Sequence, residues 1–304
     1  MSIPEYQDNG PVKATNEVKT ESLNGKSIII TGGASGLGKA YAKAFVDAGA
    51  FVTIGDYDEV AGKATAAELS PNAAFVKCDV RNWDEQVTLF TTALESSPYK
   101  SIDVVIANAG IVGADDFNNR QDSSQLPTKP NLRIVEINLI GTAYTANLAL
   151  HFFRNQPQED ARDRCLIIKG SVAAYADQPG SPQYNMSKWG SRGLFRNLRR
   201  TSWREGIRVN FTAPWYVRTH ILSSKIIEYL ESEGVKFATV EDCAKAMLRI
   251  ASDKEINGRA FGIVPKEEAP EGYVDLEHDD YQEGDSLKTW QEIVLATAES
   301  IVKM

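Results

Sequence analysis

Three residues in the stretch Ile167–Trp189, IIKGSVAAYADQPGSPQYNMSKW, have the types and spacing for proton-coupled chemistry on an oxygen. Tyr184 and Lys188 stand four apart in a segment that Pro182 opens as a helix, so they share one face. A cation beside a phenol favours the phenolate and draws its pKa towards working pH. Such a phenol can exchange a proton with an alcohol, and a hydroxyl at Ser171 can hold the reacting oxygen. A Tyr-x-x-x-Lys pair by itself arises by chance on many helices. It gains meaning only if a nucleotide site lies upstream.

The elements that would build that site are present. Ser27–Thr31 is a β-branched run suited to a strand buried on both faces. It leads directly into Gly32-Gly33-Ala34-Ser35-Gly36-Leu37-Gly38 and then into a helical pattern through Tyr41 and Phe45 that stops at Gly49. In a strand, glycine turn and helix of this kind, backbone N–H groups meet a pyrophosphate at the helix N-terminus. The next strand, Phe51–Gly55, ends on Asp56, 24 residues after Gly32. A carboxylate there can accept from both ribose hydroxyls of NAD and would repel a 2′-phosphate, so NAD is the expected cofactor. The other reading of Asp56 is a helix N-cap.

Strands and helices go on alternating: strands near 73–78, 102–107, 165–169, 207–212 and 260–264; helices near 84–95, 131–155, 182–204, 221–232 and 240–252. The expected fold is therefore α/β, a single Rossmann-type doubly wound parallel sheet of about seven strands with helices on both faces. The expected organisation is a flexible arm at 1–22, a catalytic domain at 23–265, and an acidic extension at 266–304 ending in a helix. That helix is expected on its own domain, or else as a lid or partner contact. Ligands on such sheets bind at the carboxyl ends of strands. Thr31–Gly38, Asp56, Asn108–Gly110, Ser171 and Pro214–Thr219 all fall at such ends.

These residues together resemble the short-chain dehydrogenase/reductase family over about 24–265. Thr31-Gly-x-x-x-Gly36-x-Gly38 is similar to its cofactor turn, so Gly32, Ser35, Gly36, Leu37 and Gly38 are expected at the cofactor. The resemblance also puts Asp79-Val80 at the adenine and Asn108-Ala109-Gly110 along the central strand. Asn138, Ser171, Tyr184 and Lys188 match its catalytic tetrad. Tyr184 and Lys188 are expected at the cofactor as well, with Pro214, Val217 and Thr219 at the carboxamide end. The chain departs from the pattern at Gly170, where a second Ser is common, at Trp215, which replaces a glycine, and in its long tail. Residues 211–262 look most like the branch near hydroxyprostaglandin dehydrogenases and fungal secondary-metabolism alcohol dehydrogenases. The implied activity is NAD-dependent interconversion of a secondary alcohol and a ketone on a hydrophobic or aromatic small molecule. Val172, Trp215 and Tyr216 are candidate pocket walls, together with Ile221. The same tetrad would also serve an isomerase, dehydratase or cyclisation catalyst that keeps NAD as a structural part. A homodimer or homotetramer is implied too.

Composition limits the alternatives. The 304 residues carry a formal net charge of −8 and are 42% hydrophobic. This supports a sizeable core and argues against nucleic acid or anionic membrane as partner. Residues 266–285 hold nine acidic residues and one Lys and read as a solvated run, as do the pairs Asp115-Asp116 and Asp279-Asp280. Cys78, Cys165 and Cys243 read as buried free thiols of a reducing compartment, and the location as cytoplasmic. His151, His220 and His278 show no metal spacing, and no metal is expected.

Overall fold

The computed structural model describes residues 9–15, 17–117, 119, 124–156 and 162–302; the start of the expected arm, parts of two loops and the last two residues lie outside them. Its frame is a sheet in the order β3-β2-β1-β4-β5-β6-β7-β8. The strands are β1 Ser27–Thr31, β2 Phe51–Asp56, β3 Ala73–Lys77, β4 Val104–Ala107, β5 Arg164–Lys169, β6 Ile207–Pro214, β7 Ala260–Ile263 and β8 Tyr273–Asp275. The first seven run parallel, and β8 pairs antiparallel with β7. Strand order reverses between β1 and β4, which opens a crevice above their carboxyl ends.

Helices cover both faces. Helices α1 (Gly36–Asp47), α2 (Glu59–Glu68) and α8 (Val240–Ser252) pack on one side; α3 (Trp83–Ser96), α5 (Thr142–Asn155) and α6 (Pro182–Leu198) pack on the other. The alternation of β5 shows how the strands divide between the faces. Cys165 and Ile167 join the first core, Leu166 and Ile168 the second. Helix α5 is preceded by the single turn α4 (Arg133–Val135) and by a π turn, Glu136–Gly141. Helix α7 (Ser224–Ser232) follows β6, and its N-cap Ser223 accepts from Ile226 N–H. No helix among the described residues is long and apolar enough to cross a membrane.

Several elements differ from the sequence expectation. The helix expected over 182–204 ends at Leu198, and a 3₁₀ turn at Ser202–Glu205 closes on Gly206, whose φ of +68° is left-handed. The acidic run is not simply solvated: it supplies β8, where Tyr273 stacks on Phe261 with ring centroids 5.2 Å apart. The Asp279-Asp280 pair is also not solvated. Asp279 is 4% exposed, because Arg192, Arg196 and the Tyr175 hydroxyl converge on its carboxylate. Asp115 caps α6, accepting from Gln183 N–H at 2.7 Å. Of the expected arm, Val12 N–H donates to Asp275, and the Ala14 carbonyl accepts from the Tyr273 hydroxyl. Helix α9 (Ser286–Val302) leaves Trp290, Ile293 and Val294 more than half exposed. Cys78, Cys165 and Cys243 are buried free thiols.

Candidate active site

A cavity of about 470 Å³ lies over the carboxyl ends of β1, β2, β4 and β5. The glycine turn forms its floor, and each glycine meets a steric demand there. A Cβ on Gly38 would come 2.0 Å from the Gly32 carbonyl oxygen; Gly32 has φ +66°, and a Cβ on it would come 2.8 Å from Ala109 Cα. The Asn108 side chain holds this turn by donating to the carbonyls of Thr31 and Gly32 at 2.8 and 2.9 Å. Thr31 Oγ1 accepts from the N–H groups of Asn108 and Ala109. Helix α1 begins at Gly36 with no side chain capping it, so its first N–H groups remain for an anion.

Asp56 closes the far end of the floor. Its carboxylate accepts from Ala34 N–H at 2.9 Å and Asp58 N–H at 3.0 Å. The N-cap of α2 is Asp58, not Asp56. Asp79 is gripped by Arg81, which holds its carboxyl below the usual range. Val80 packs on Gly141, where a Cβ would come within 2.7 Å of its methyl group. A glycine-lined floor, an uncapped helix end and a carboxylate at the tip of β2 fit a nicotinamide dinucleotide.

The proton-handling residues gather beside this cavity. Ser171 follows β5, where its hydroxyl accepts from Ala173 N–H at 3.2 Å, and it is near enough to the Tyr184 phenol on α6 to pull that phenol's pKa down. Lys188, one turn further along α6, is 3% exposed; its ammonium lies 5.5 Å from the Tyr184 ring centroid and 3.4 Å from the Lys169 carbonyl oxygen. Asn138 is fully buried in the π turn, a widened geometry that recurs at functional sites. Its side chain accepts from Ile111 N–H at 2.8 Å and donates to the Ile111 carbonyl at 2.9 Å. Asn138 Oδ1 and Lys188 Nζ both face Gly110, within 3.3 and 3.7 Å of where its Cβ would be.

The electrostatics differ from the simple picture of a cation acidifying a phenol. Burial raises the Tyr184 pKa above its ordinary value, the nearby Ser171 hydroxyl opposes the rise, and Tyr216 adds to it. Burial and the nearby Lys169 pull Lys188 down to about 7.

The short chain dehydrogenase family model matches residues 26–229, a span that holds the glycine turn and all four residues of this cluster. The chain belongs to the short-chain dehydrogenase/reductase family. It is 37% identical over 295 residues to 5′-hydroxyaverantin dehydrogenase of Dothistroma septosporum, covering 89% of this chain and 94% of that protein. It is 33% identical over 253 residues to an NADP-dependent dehydrogenase of Cochliobolus lunatus, covering 78% and 87%. Among solved structures, a 3-ketoacyl-(acyl-carrier-protein) reductase from Brucella melitensis complexed with NADH has the same fold. It superposes with a TM-score of 0.70 at 24% identity, covering 79% of this chain and 97% of that one.

Within this short-chain dehydrogenase/reductase fold, Gly32, Ser35, Gly36, Leu37, Gly38, Asp56, Asp79, Val80, Asn108, Ala109 and Gly110 line the cavity. The residues after β6 are placed differently from one another. Val217 is buried in the core and bridges to Ala238. The Trp215 indole packs against that core, donates to the Lys236 carbonyl at 3.0 Å and lies edge-on to Tyr216 with ring centroids 5.0 Å apart. Tyr216 is close enough to Tyr184 to raise its pKa, and Val172 begins the 3₁₀ turn just after Ser171. Sequence reasoning did not assign Lys169, Arg81 and Arg133 to the cavity, although all three line it. A charge ending the apolar run of β5 is the signal that was available for Lys169. His220, which also lines the cavity, lies over the turn, with a ring atom 3.0 Å from where a Gly36 Cβ would be.

Proposed function

We propose that this protein interconverts a secondary alcohol and a ketone with NAD as cofactor. The observation that carries the reading is the Ser171–Tyr184 hydroxyl pair, held between the end of β5 and α6 beside Lys188 and next to a dinucleotide-shaped cavity. Bound nicotinamide would supply hydride exchange with the substrate carbon. Ser171 orients the substrate oxygen, and Tyr184 moves the proton on that oxygen. A phenol kept protonated by burial is suited to donating to a carbonyl oxygen. Lys188 recharges the phenol, and Asn138 orders the backbone at Ile111 beside it. Asp56 supports NAD over NADP, because its carboxylate is fixed at the cavity edge where a 2′-phosphate would meet it. The NADP-dependent relative makes this a point for measurement.

Tyr216 and Val172 beside the reacting hydroxyls support a hydrophobic or aromatic substrate, and 5′-hydroxyaverantin heads the panel to test. The assay follows NADH absorbance with a panel of secondary alcohols, and its loss with the matching ketones. Turnover of one pair in both directions with NAD supports the reading. Product formation without a stoichiometric change in NADH would favour an isomerase or dehydratase instead. Exposed Ile140, Met186 and Trp189 support assembly as a homodimer or homotetramer through these helices, which light scattering would test.

A further inference from the structure

Lys169 is the one charge at the cavity end of an otherwise apolar stretch, CLIIK, in β5. It lies on the sheet face of Cys165 and Ile167, towards α1 and α8. The group that acts on its charge there is Cys243 of α8; no carboxylate among the described residues does so. Cys243 is no counter-ion, because burial pushes its thiol up to about 12. Among the described residues, Lys169 therefore lines the cavity as a cation without an acidic partner. From the other face of the sheet, Lys188 reaches the Lys169 carbonyl. Two amines thus flank the end of one strand. Its side chain is only partly buried, so the ammonium opens onto the cavity and acts on whatever binds there.

We propose that Lys169 is a specificity-determining residue that makes the cavity favour the reduced nicotinamide over the oxidised one. The proposal rests on the dinucleotide reading above. The ring must reach a carbon whose oxygen is held by Ser171 and Tyr184, and Ser171 follows Lys169 by two residues. Ring and ammonium therefore share the end of β5. The oxidised ring carries a positive charge and the reduced ring none, while the rest of the two cofactors is identical. A cation in that wall opposes one form and leaves the other untouched, and the partly enclosed cavity screens the repulsion less than bulk water would. Burial lowers the Lys169 pKa only to about 8, so the amine is still largely charged at neutral pH. A protonated Tyr184 and a preference for reduced cofactor both fit carbonyl reduction.

The test measures dissociation constants for NADH, by its fluorescence, and for NAD⁺, by calorimetry, in wild type, Lys169→Met and Lys169→Arg at neutral pH. Lys169→Met should lower the ratio of the NAD⁺ to the NADH constant about tenfold or more, through tighter NAD⁺ binding. Lys169→Arg, which keeps the charge, should hold the wild-type ratio. An unchanged ratio in Lys169→Met, including equal changes in both constants, overturns the proposal and leaves the dinucleotide reading intact. If wild type binds neither form, the dinucleotide reading itself fails. Circular dichroism checks the fold, and Lys169→Gln provides the same neutral comparison if Lys169→Met does not fold.

Discussion

Arg192, one turn past Lys188 on α6, donates from Nε to Asp279 Oδ1 at 2.8 Å, and its guanidinium lies 3.8 Å over the Tyr175 ring. Tyr175 in turn donates to Asp279 Oδ2 at 2.6 Å. The helix that carries Tyr184 and Lys188 is therefore fastened by the acidic segment after β7. Arg192 also donates to the carbonyls of Ala174 and His278, which ties the turn after Ser171 to the same point.

Asp279→Ala should then destabilise the fold by about 3–5 kcal/mol, the usual cost of leaving one partner of a buried ion pair alone. The denaturation midpoint in urea is the measurement. Turnover should fall along with stability, because α6 would lose its anchor. An unchanged midpoint would mean that the ion pair does not hold the helix.

The parts of this architecture that follow local rules were readable from the chain. A β-branched run, a glycine turn and an amphipathic helix announce β1 and α1 within twenty-odd residues, and Asp56 falls at a fixed interval after them. The proline that opens α6 and the four-residue step from Tyr184 to Lys188 are just as local. What could not be read depends on distant partners. Asp279 looks solvated in a run of acids until Arg192, Arg196 and Tyr175 fold onto it from far upstream. That the Trp215 N–H goes to the Lys236 carbonyl, 21 residues on, is likewise invisible in the local sequence. The sign of the Tyr184 shift needed burial to be known, since desolvation raises it and the nearby Ser171, not the cation that the spacing reveals, opposes the rise.

Tyr184→Phe removes the hydroxyl that pairs with Ser171 and keeps the ring beneath Lys188. Turnover should drop by about 10²–10⁴-fold while cofactor affinity stays close to wild type. Steady-state assay and NADH titration measure the two. A near-normal rate would move the proton transfer to another group.

Asp56→Ala leaves the glycine turn in place but removes the acceptor from Ala34 N–H and from a ribose. NAD affinity should weaken and NADP affinity should hold or improve, so the ratio of their dissociation constants shifts towards NADP. Parallel titration with both cofactors measures it, and an unmoved ratio would contradict a ribose role.

Lys188 and Lys169 stand at about 7 and about 8, against an ordinary lysine value of 10.5, with burial the larger cause in each. In the unfolded chain both amines keep their protons to about pH 10.4. Between the folded and unfolded values the unfolded state binds more protons, so stability rises with pH across that window. Below about pH 7 both states carry both charges and the full cost of burying them remains. Above about pH 10.4 the cost disappears. A Lys169→Met, Lys188→Met variant lacks this term. Its stability advantage over wild type should be largest at pH 6–7 and shrink steadily towards about pH 9.5. Urea denaturation of the two cofactor-free proteins across that range decides the matter: a constant gap would mean that both amines titrate as they do in water.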